Sequence, residues 1–261
     1  MTLKRIDLNS DVGESFGVWT RGNDEALMPY LTSASIACGW HGGDPQVMRR
    51  TVALAKTHGV KVGAHPGFPD LLGFGRRPMQ LSSEEVRDYV LYQIGALWAF
   101  VRAEEMRLQH VKPHGALYHA AANDRLLAEA VVAAIAAVDL ALILIGPPGS
   151  ELVRAGQRAG LRTAREGFGD RVYNEDGTLV PRSVPGALLT DSDAVADQVL
   201  LMAEGRVRTV TGRMIPMETD TICLHGDTQD APVIAKRLRE RLSSAGIQTI
   251  ALEALVVDQV S

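Results

Sequence analysis

Short apolar runs alternate along this chain with longer segments in which apolar residues recur every three or four positions. The short runs are rich in Val, Ile, Leu and Ala, which is more typical of buried parallel strands than of half-exposed antiparallel ones. We predict strands at residues 5–9, 33–38, 60–65, 109–114, 140–146, 162–167 and 221–226. Strands that alternate with helices indicate βαβ units and a parallel sheet.

The helical segments carry recognisable start signals. The segment SSEEVRDYVLYQIGALWAFVRAEE opens with Ser82 and then Glu85, the spacing of a capping box. Its apolar residues fall on one helical face, at Val86, Val90, Ile94, Leu97 and Val101. Asn123 and Asp191 each stand where the N-cap of a following helix belongs.

The order of these elements favours one of two parallel-sheet architectures. A doubly wound sheet that binds a dinucleotide carries Gly-x-Gly-x-x-Gly after its first strand, and this chain has DLNSDVGES there. We therefore predict a (β/α) barrel, seven-stranded and distorted, with the doubly wound sheet as the alternative. Neither a linker nor a change in composition divides the chain, so residues 1–261 are predicted to form a single domain.

Composition excludes several classes of protein. The chain has 261 residues, of which 46% are hydrophobic and 22% charged, and its formal net charge of −4 includes no basic patch for nucleic acid. The most apolar segment, LLAEAVVAAIAAVDLALILIG, is interrupted by Glu129 and Asp139, so we predict a helix and a strand rather than a membrane span. MTLKRIDLNSD is not a signal peptide, and two distant cysteines form no disulfide framework, which together predict a cytoplasmic protein.

Most of the polar residues that could take part in catalysis or binding lie at or just after the ends of predicted strands. These residues are Asp7, Asn9, Asp11, Glu14, Cys38, His41, Asp44, His65, Asp70, Lys112, His114, Tyr118, Glu166, Asp170, Arg171, Tyr173, His225 and Asp227. In a parallel barrel all strand C-termini lie on one face, where residues distant in sequence converge. The sequence therefore predicts one polar cavity at that face.

Each of these residues also has a simpler interpretation. A single His at a strand end is more often a hydrogen-bonded structural residue, but four at equivalent ends favour function, whereas His58 and His110 carry no such signal. Cys38 is interpreted as a small buried residue, and Lys112 inside a buried strand would need a partner. The helix that begins at Pro45 is predicted to aim its N–H groups into the cavity as an anion site.

The spacing of the histidines neither requires nor excludes a divalent metal. Metal-dependent deacetylases bind an ion with one Asp and two His, and such sites usually include two His at short helical spacing. Here the four strand-end histidines come from different strands. GPPGSE at 146–151 lacks the Gly-Lys-Ser/Thr ending of a Walker phosphate loop. The residues alone therefore assign neither a metal nor a nucleotide site.

Six blocks of the sequence resemble the LamB/YcsF family. They are DLNSDVGESFG (7–17), IACGWHGGDP (36–45), GAHPGFPDLLGFGRR (63–77), VKPHGALY (111–118), GDRVYNEDGTLVPR (169–182) and ICLHGD (222–227), in the family's order. The resemblance implies a barrel related to polysaccharide deacetylases and glycoside hydrolases, commonly with seven strands. It also implies ATP-dependent opening of 5-oxoproline to L-glutamate, together with two further subunits, B and C.

The chemistry of opening the 5-oxoproline lactam determines which roles we expect the site residues to have. The amide is resonance-stabilised, and coupling to ATP suggests that its oxygen is phosphorylated before water attacks. The expected catalytic residues are Asp11, Glu14, His41, His65, Lys112 and His114. We expect Asp11 or Glu14 to act as the general base and the three histidines to relay protons. Lys112 is expected to bind an anionic group. The expected substrate-binding residues are Asn9, Asp44, Arg76, Arg77, Glu166, Asp170, Arg171, Tyr173, His225 and Asp227.

Two other functions are compatible with the sequence. A metal-dependent hydrolase that acts alone on the amide of an amino sugar predicts activity with Zn²⁺ and without ATP. A non-catalytic regulator that binds a small carboxylic acid predicts tight binding and no effect of strand-end variants on turnover. The sequence does not decide which subunit binds ATP, or whether the chain forms a homo-oligomer.

Overall fold

The strands form a closed parallel barrel. The computed structural model describes residues 4–226 and 230–256. The strands of this part of the chain are β1 (Arg5–Val12), β2 (Ser33–Ala37), β3 (Lys61–His65), β4 (Leu108–Val111), β5 (Ile143–Gly146), β6 (Arg162–Phe168), β7 (Arg206–Arg208), β8 (Met214–Pro216), β9 (Thr221–Cys223) and β10 (Gln248–Thr249).

Parallel pairing closes the barrel in the order β1–β2–β3–β4–β5–β6–β9. Closure comes from β9, which pairs with β1 at Asp7, Leu8 and Asn9, while β10 pairs with the first two residues of β1. β7 and β8 form a separate antiparallel pair. The prediction of a seven-stranded (β/α) barrel is confirmed, and the doubly wound alternative is wrong because β1 and β9 join the two edges of the sheet.

Two of the predicted strands extend three residues too far at their C-terminal ends, and the strand predicted at 140–146 begins only at Ile143. β4 ends at Val111, since Pro113 has no N–H to donate to a strand ladder, so Lys112 and His114 lie on the turn that follows. The last barrel strand ends at Cys223 rather than at residue 226. The polar side chains of these two segments therefore lie at the rim of the barrel and not within its wall.

Helices connect the strands and cover the barrel. They are α1 (Asp24–Leu27), followed by a 3₁₀ turn at Met28–Tyr30, α2 (Pro45–His58), α3 (Ser83–Ala103), α4 (Gly115–Asn123), α5 (Arg125–Val138), α6 (Glu151–Arg158), α7 (Ser192–Ala203), α8 (Ala231–Ser244) and α9 (Leu252–Val256). Ser82 and Glu85 form the predicted capping box of α3, and Asp191 caps α7 as predicted. The prediction of Asn123 as an N-cap is wrong, because Asp124 caps α5 and Asn123 ends α4. Within the described ranges, no helix has the length and apolar character needed to cross a membrane.

Successive side chains of β1 point to opposite faces of the barrel wall, of which one is apolar and the other polar. Ile6 and Leu8 are fully buried in the main hydrophobic core, whereas Asp7 and Asn9 point to the opposite face, inside the barrel. Three hydroxyl groups at the neighbouring strands donate to the carboxylate of Asp7. Buried polar side chains therefore continue upward through the barrel to the strand C-termini.

Candidate active site

The C-terminal ends of barrel strands surround a cavity of about 380 Å³. Its lining includes Asp11, His65, Arg76, Lys112, His114, Tyr118, His119, Glu166, Phe168, Arg171, Arg182 and His225. These residues come from or directly follow β1, β3, β4 and β6, from the loop before α3, and from the turn after β9. The structure thus brings together residues that are far apart in the sequence.

Lys112 lies at the floor of the cavity and is 2% exposed. Its Nζ is 2.7 Å from Asp11 Oδ1 and 2.8 Å from Glu166 Oε1, and it donates to Asn9 Oδ1 at 3.0 Å. Burial by itself would lower the pKa of Lys112, but the negative charges around it, that of Asp11 above all, hold this pKa well above its ordinary value. The ammonium group is therefore a fixed positive charge.

Glu166 is held through both of its carboxylate oxygens. Oε1 accepts hydrogen bonds from Lys112 and from Asn9 Nδ2, the latter at 3.1 Å, and Oε2 accepts from the hydroxyl of Tyr118 at 2.7 Å. Burial, and then the charge of Glu166, raises the pKa of Tyr118 well above its ordinary value. Tyr118 therefore stays protonated and acts as a hydrogen-bond donor.

Three histidines and a glutamate meet beside this floor. The rings of His41 and His114 are parallel, with centroids 3.7 Å apart, and His65 Nε2 lies 3.1 Å from His114 Nδ1. Glu14 Oε1 lies 3.5 Å from His41 Nε2 and 3.6 Å from His114 Nδ1. One ligand atom from each of the four residues lies within 4.8 Å of the others, so the group could hold a metal ion.

Burial controls the charge of this group. It lowers the pKa of His41 and of His114 well below the ordinary value, and neighbouring histidines add to the effect. Asp11 Oδ2 lies 3.3 Å from His65 Nε2. Burial would raise the pKa of Asp11, but the charges of His65 and Lys112 hold it well below its ordinary value. At neutral pH the rings of His41 and His114 are therefore neutral and Asp11 is ionised.

Asp170 orients His225 at the edge of the cavity. Its Oδ1 lies 2.8 Å from His225 Nδ1, and its Oδ2 accepts from the backbone N–H of His225 at 3.1 Å. The ring of Phe168 stacks on the imidazole with centroids 5.5 Å apart. Because Nδ1 is engaged, Nε2 is the nitrogen that His225 can offer to a ligand. His225 also forms a second group with Asp11 and Cys223 whose ligand atoms lie within 4.8 Å of one another.

Three arginines give one part of the cavity a positive charge: Arg76, Arg171 and Arg182. Arg171 is 5% exposed and donates to the backbone oxygen of Val180 at 2.6 Å, whereas its Nε has no hydrogen-bond partner in the described part of the chain. Burial, and then the charge of Arg182, lowers the pKa of Arg171 from its ordinary value. Such a concentration of guanidinium groups suits a carboxylate or a phosphoryl group.

Comparison with known proteins identifies the family. The LamB/YcsF family model matches residues 6–257. The chain belongs to the LamB/YcsF family.

Relatives and one solved structure resemble this LamB/YcsF protein over nearly its whole length. Two proteins named as the A subunit of 5-oxoprolinase, from Methylococcus capsulatus and Geobacillus thermodenitrificans, are 57% and 58% identical to it, over 95% and 94% of this chain and 96% of each relative. The crystal structure of the lactam utilization protein from Thermus thermophilus has a TM-score of 0.90 at 48% identity, and the match covers 95% of this chain and 99% of that one.

The start of α2 differs from what the sequence suggested for this LamB/YcsF protein. Asp44 is the N-cap of α2, and its carboxylate accepts from the N–H groups of Gln46 and Val47 and from Gly17 N at 2.7 Å. The prediction that the first N–H groups of α2 serve an anion in the cavity is wrong for these two groups, because Asp44 already occupies them. Asp44 itself is not among the residues that line the cavity.

Two other predicted substrate-binding residues, Arg77 and Tyr173, also lie outside the cavity. Arg77 is an exposed guanidinium that pairs with Asp70, with its Nε 2.9 Å from Oδ1. Tyr173 lines a neighbouring cavity, and its hydroxyl oxygen accepts from the backbone N–H of Phe168 at 2.7 Å. Asp227 lies outside the described residues.

The cavity also contains Tyr118, which the sequence places among the strand-end polar residues without a role, and two residues that were not predicted there, His119 and Arg182. Tyr118 and His119 belong to α4, which starts directly after His114. A helix that begins at a strand end places its first turns near the cavity, and this spacing is the signal that could have identified them. Arg182 lies in the irregular segment between β6 and α7, for which the sequence gives no comparable signal.

Proposed function

We propose that this chain is the A subunit of a 5-oxoprolinase, a hydrolase that opens the cyclic amide of 5-oxoproline to give L-glutamate. The observation that carries the proposal is 57–58% identity, over 94–95% of the chain, to proteins that bear this name. The likeness to the lactam utilization protein of Thermus thermophilus supports the same class of reaction, since 5-oxoproline is a lactam.

The reaction needs activation of an amide that resonance protects from water. We propose that ATP phosphorylates the amide oxygen, which makes the ring carbon electrophilic. Water then adds to this carbon, the C–N bond breaks as the ring nitrogen is protonated, and hydrolysis of the remaining acyl phosphate gives glutamate. The site must therefore bind anionic groups, stabilise developing negative charge and take a proton from water.

The positive side chains of the cavity suit the first two tasks. Lys112 is a fixed positive charge at the cavity floor, and its three N–H groups are used by Asp11, Glu166 and Asn9. It can therefore stabilise the negative charge that develops on the oxygen atoms bonded to the ring carbon through its charge, without donating a hydrogen bond to them. Arg171 and Arg182 line the same cavity. One guanidinium can bind the substrate carboxylate, or the phosphoryl group of the activated substrate, through two parallel hydrogen bonds.

His225 suits the third task better than the carboxylates that the sequence suggested as the base. Asp170 holds Nδ1 of His225, which fixes the ring and leaves Nε2 to take a proton from water, as in other acid–base pairs of His and a carboxylate. Asp11 is a weaker base, because its pKa is held well below the ordinary value. Glu14 does not line the cavity.

The proposal is tested by measuring ATP-dependent release of glutamate from 5-oxoproline by the chain alone and by the chain with its B and C partner subunits. We expect turnover only in the complete mixture, since the relatives are named as one subunit of an enzyme and the chain has no Walker phosphate loop. In that mixture His225→Gln should lower turnover by ~10²-fold or more. His58→Gln, which changes an exposed histidine of α2, is the matched control and should leave turnover unchanged.

Four outcomes would contradict the proposal in distinguishable ways. No release of glutamate by the mixture would exclude the reaction, and ATP-dependent release by the chain alone would exclude the need for partners. Amide hydrolysis of an acetylated amino sugar by the chain alone, with Zn²⁺ and without ATP, would favour the deacetylase. Tight binding of 5-oxoproline together with normal turnover of His225→Gln would favour a regulatory role.

A further inference from the structure

The group formed by Glu14, His41, His65 and His114 is not explained by the reaction proposed above. Glu14 is 8% exposed and each of the three histidines 4% or less, so water satisfies little of their hydrogen-bonding capacity. Burying a polar group without a partner costs about 1–3 kcal/mol. Arg21 Nε lies 3.9 Å from Glu14 Oε2, so it is the ring nitrogens facing into this group that need an occupant or a set of mutual hydrogen bonds.

Backbone carbonyls determine which nitrogens of two rings carry protons. His65 Nδ1 lies 2.7 Å from the backbone oxygen of Lys112, and His114 Nε2 lies 2.8 Å from that of Phe74. A carbonyl oxygen only accepts, so both of these nitrogens are donors. In the neutral rings His65 Nε2 and His114 Nδ1 then carry lone pairs, and these two atoms face each other at 3.1 Å. Two lone pairs at this distance repel unless a proton on His65 Nε2 or a metal cation lies between or beside them.

His41 provides an independent observation. Neither of its ring nitrogens has a hydrogen-bond partner among the described residues, although the side chain is 1% exposed. Its Nε2 lies 3.5 Å from Glu14 Oε1, beyond hydrogen-bond distance but within reach of an ion shared by the two. Gly39 and Gly43, both at positive φ, allow the turn after β2 that carries His41 to this position.

Three distances between ligand atoms are close to those of tetrahedral coordination, and the stacked rings of His41 and His114 would have to tilt for both to point a nitrogen at one ion. Zn–N and Zn–O bonds of about 2.0–2.2 Å place neighbouring ligand atoms about 3.3–3.6 Å apart. The ligand pairs measured in the cluster are 3.1 Å (His65 Nε2 to His114 Nδ1), 3.5 Å (His41 Nε2 to Glu14 Oε1) and 3.6 Å (His114 Nδ1 to Glu14 Oε1). The N–H groups of His65 and His114 are also bonded to carbonyls, as is usual for metal-bound histidines.

We propose that Glu14, His41, His65 and His114 bind one divalent first-row transition ion, and that Zn²⁺ suits the site best. Three imidazoles and one carboxylate favour such an ion over Mg²⁺ or Ca²⁺, which prefer oxygen ligands. The ligands come from the last residue of β3 and from the segments that follow β1, β2 and β4, so the ion would join four neighbouring strand ends. His65 and His114 also line the cavity, which places the ion at its wall.

The test measures the ion itself and does not depend on 5-oxoprolinase activity. The chain, purified without a histidine tag and stripped with a chelator, is loaded with Zn²⁺, dialysed and analysed for metal by mass spectrometry. We expect one equivalent of Zn²⁺ and a rise in Tm on loading, because an ion that binds only the folded state stabilises it. Loading with Co²⁺ instead should give the visible absorption of a tetrahedral or five-coordinate ion.

Variants locate the ion. Glu14→Gln and His41→Gln should each weaken Zn²⁺ binding by ~10²-fold or more, since even the loss of a group that only supports a ligand weakens binding by ~10–100-fold. His58→Gln is the matched control and should bind like the unchanged chain. The Co²⁺ spectrum of the unchanged chain keeps the test valid if a variant does not fold.

Two results would overturn the proposal. The first is that the unchanged chain retains no Zn²⁺ and shows no Co²⁺ absorption. The cluster then binds no metal ion, and a protonated His65 paired with Asp11 at 3.3 Å takes its place. If one equivalent binds but Glu14→Gln and His41→Gln do not weaken it, the ion lies elsewhere. A sulfur-to-cobalt charge-transfer band would then identify the group of Asp11, Cys223 and His225.

Discussion

A buried ammonium group, that of Lys112, lies between carboxylates from β1 and β6. The sequence predicts that a lysine at this position needs a partner, and Asp11 is one, as expected. The second is Glu166 rather than Glu14, whose Oε1 faces His41 instead. Removing a charge from water costs several kcal/mol unless it is paired and hydrogen-bonded. The three charges of Lys112, Asp11 and Glu166 therefore depend on one another.

We expect Lys112→Met, which keeps most of the side-chain volume, to affect both stability and activity. It leaves Asp11 and Glu166 without their shared cation, so the free energy of unfolding should fall by about 3–5 kcal/mol. Turnover of the complete enzyme should fall by ~10²-fold or more, because the fixed positive charge that stabilises developing negative charge is lost. Urea unfolding and the glutamate-release assay measure the two effects.

The double variant Lys112→Met/Glu166→Gln separates these effects. Removing one of the two carboxylate charges left without their cation should restore part of the lost stability and none of the turnover. If Lys112→Met unfolds at the same urea concentration as the unchanged chain and keeps normal turnover, Lys112 is neither the structural nor the functional centre of the cavity.

At the scale of the elements, β3 and β4 pack closely because a glycine on β3 leaves room for the ring of a histidine on β4. Gly63 pairs in register with His110, whose ring is fully buried and lies 3.1 Å from Ser35 Oγ. A Cβ added at Gly63 would overlap the His110 ring. His110 carries no signal in the sequence, because its role depends on the small residue across from it on the neighbouring strand.

Two Gly→Ala variants should therefore act in opposite directions. Gly63→Ala should lower the free energy of unfolding by ~1–3 kcal/mol, the usual cost of overfilling a packed interior. Gly95→Ala, in the exposed middle of α3 where a new Cβ meets nothing within 4 Å, should raise it by ~0.5–1 kcal/mol. Thermal or urea unfolding of both variants checks the pair, and a Gly63→Ala variant as stable as the unchanged chain would show that β3 and β4 can separate without cost.

For the whole molecule, folding removes ionisable groups of both kinds from water. Burial is the largest cause that lowers the pKa of four histidines, namely His41, His110, His114 and His119. The unfolded chain gains these protons as pH falls below about 6.5 and the folded chain does not, so stability is lost there. Burial also raises the pKa of Asp7 and of Asp24 to about 6, and their contribution has the opposite sign, since it is present at low pH and lost as pH rises through 6.

The free energy of unfolding should accordingly fall between pH 7 and pH 5, because four histidines outweigh two carboxyl groups. His110, whose pKa is lowered to about 3, should account for about 2 kcal/mol of the loss. Urea unfolding at several pH values should show a shallower fall in His110→Gln and a steeper one in Asp7→Asn. A fall of the same size in His110→Gln and the unchanged chain would mean that His110 can become charged within the fold.

The sequence by itself determined the barrel and the face on which the polar residues gather. Strand and helix periodicity, the capping box at Ser82 and the N-cap at Asp191 are local properties, so they could be predicted without contacts. The position of polar residues at strand ends is local too, and parallel strands place those ends on one face. That the chain forms a single domain and works in the cytoplasm stays a prediction.

Only the tertiary structure decided which of these residues act on each other. Glu166 rather than Glu14 pairs with Lys112, Asp44 is used by its own helix, and Tyr118 joins the cavity from α4. Each of these outcomes depends on the register between strands and on the closure of β9 against β1, which brings residues more than 200 positions apart in sequence into contact. Distances between side chains on different strands are set by that closure, and periodicity along one strand does not contain them.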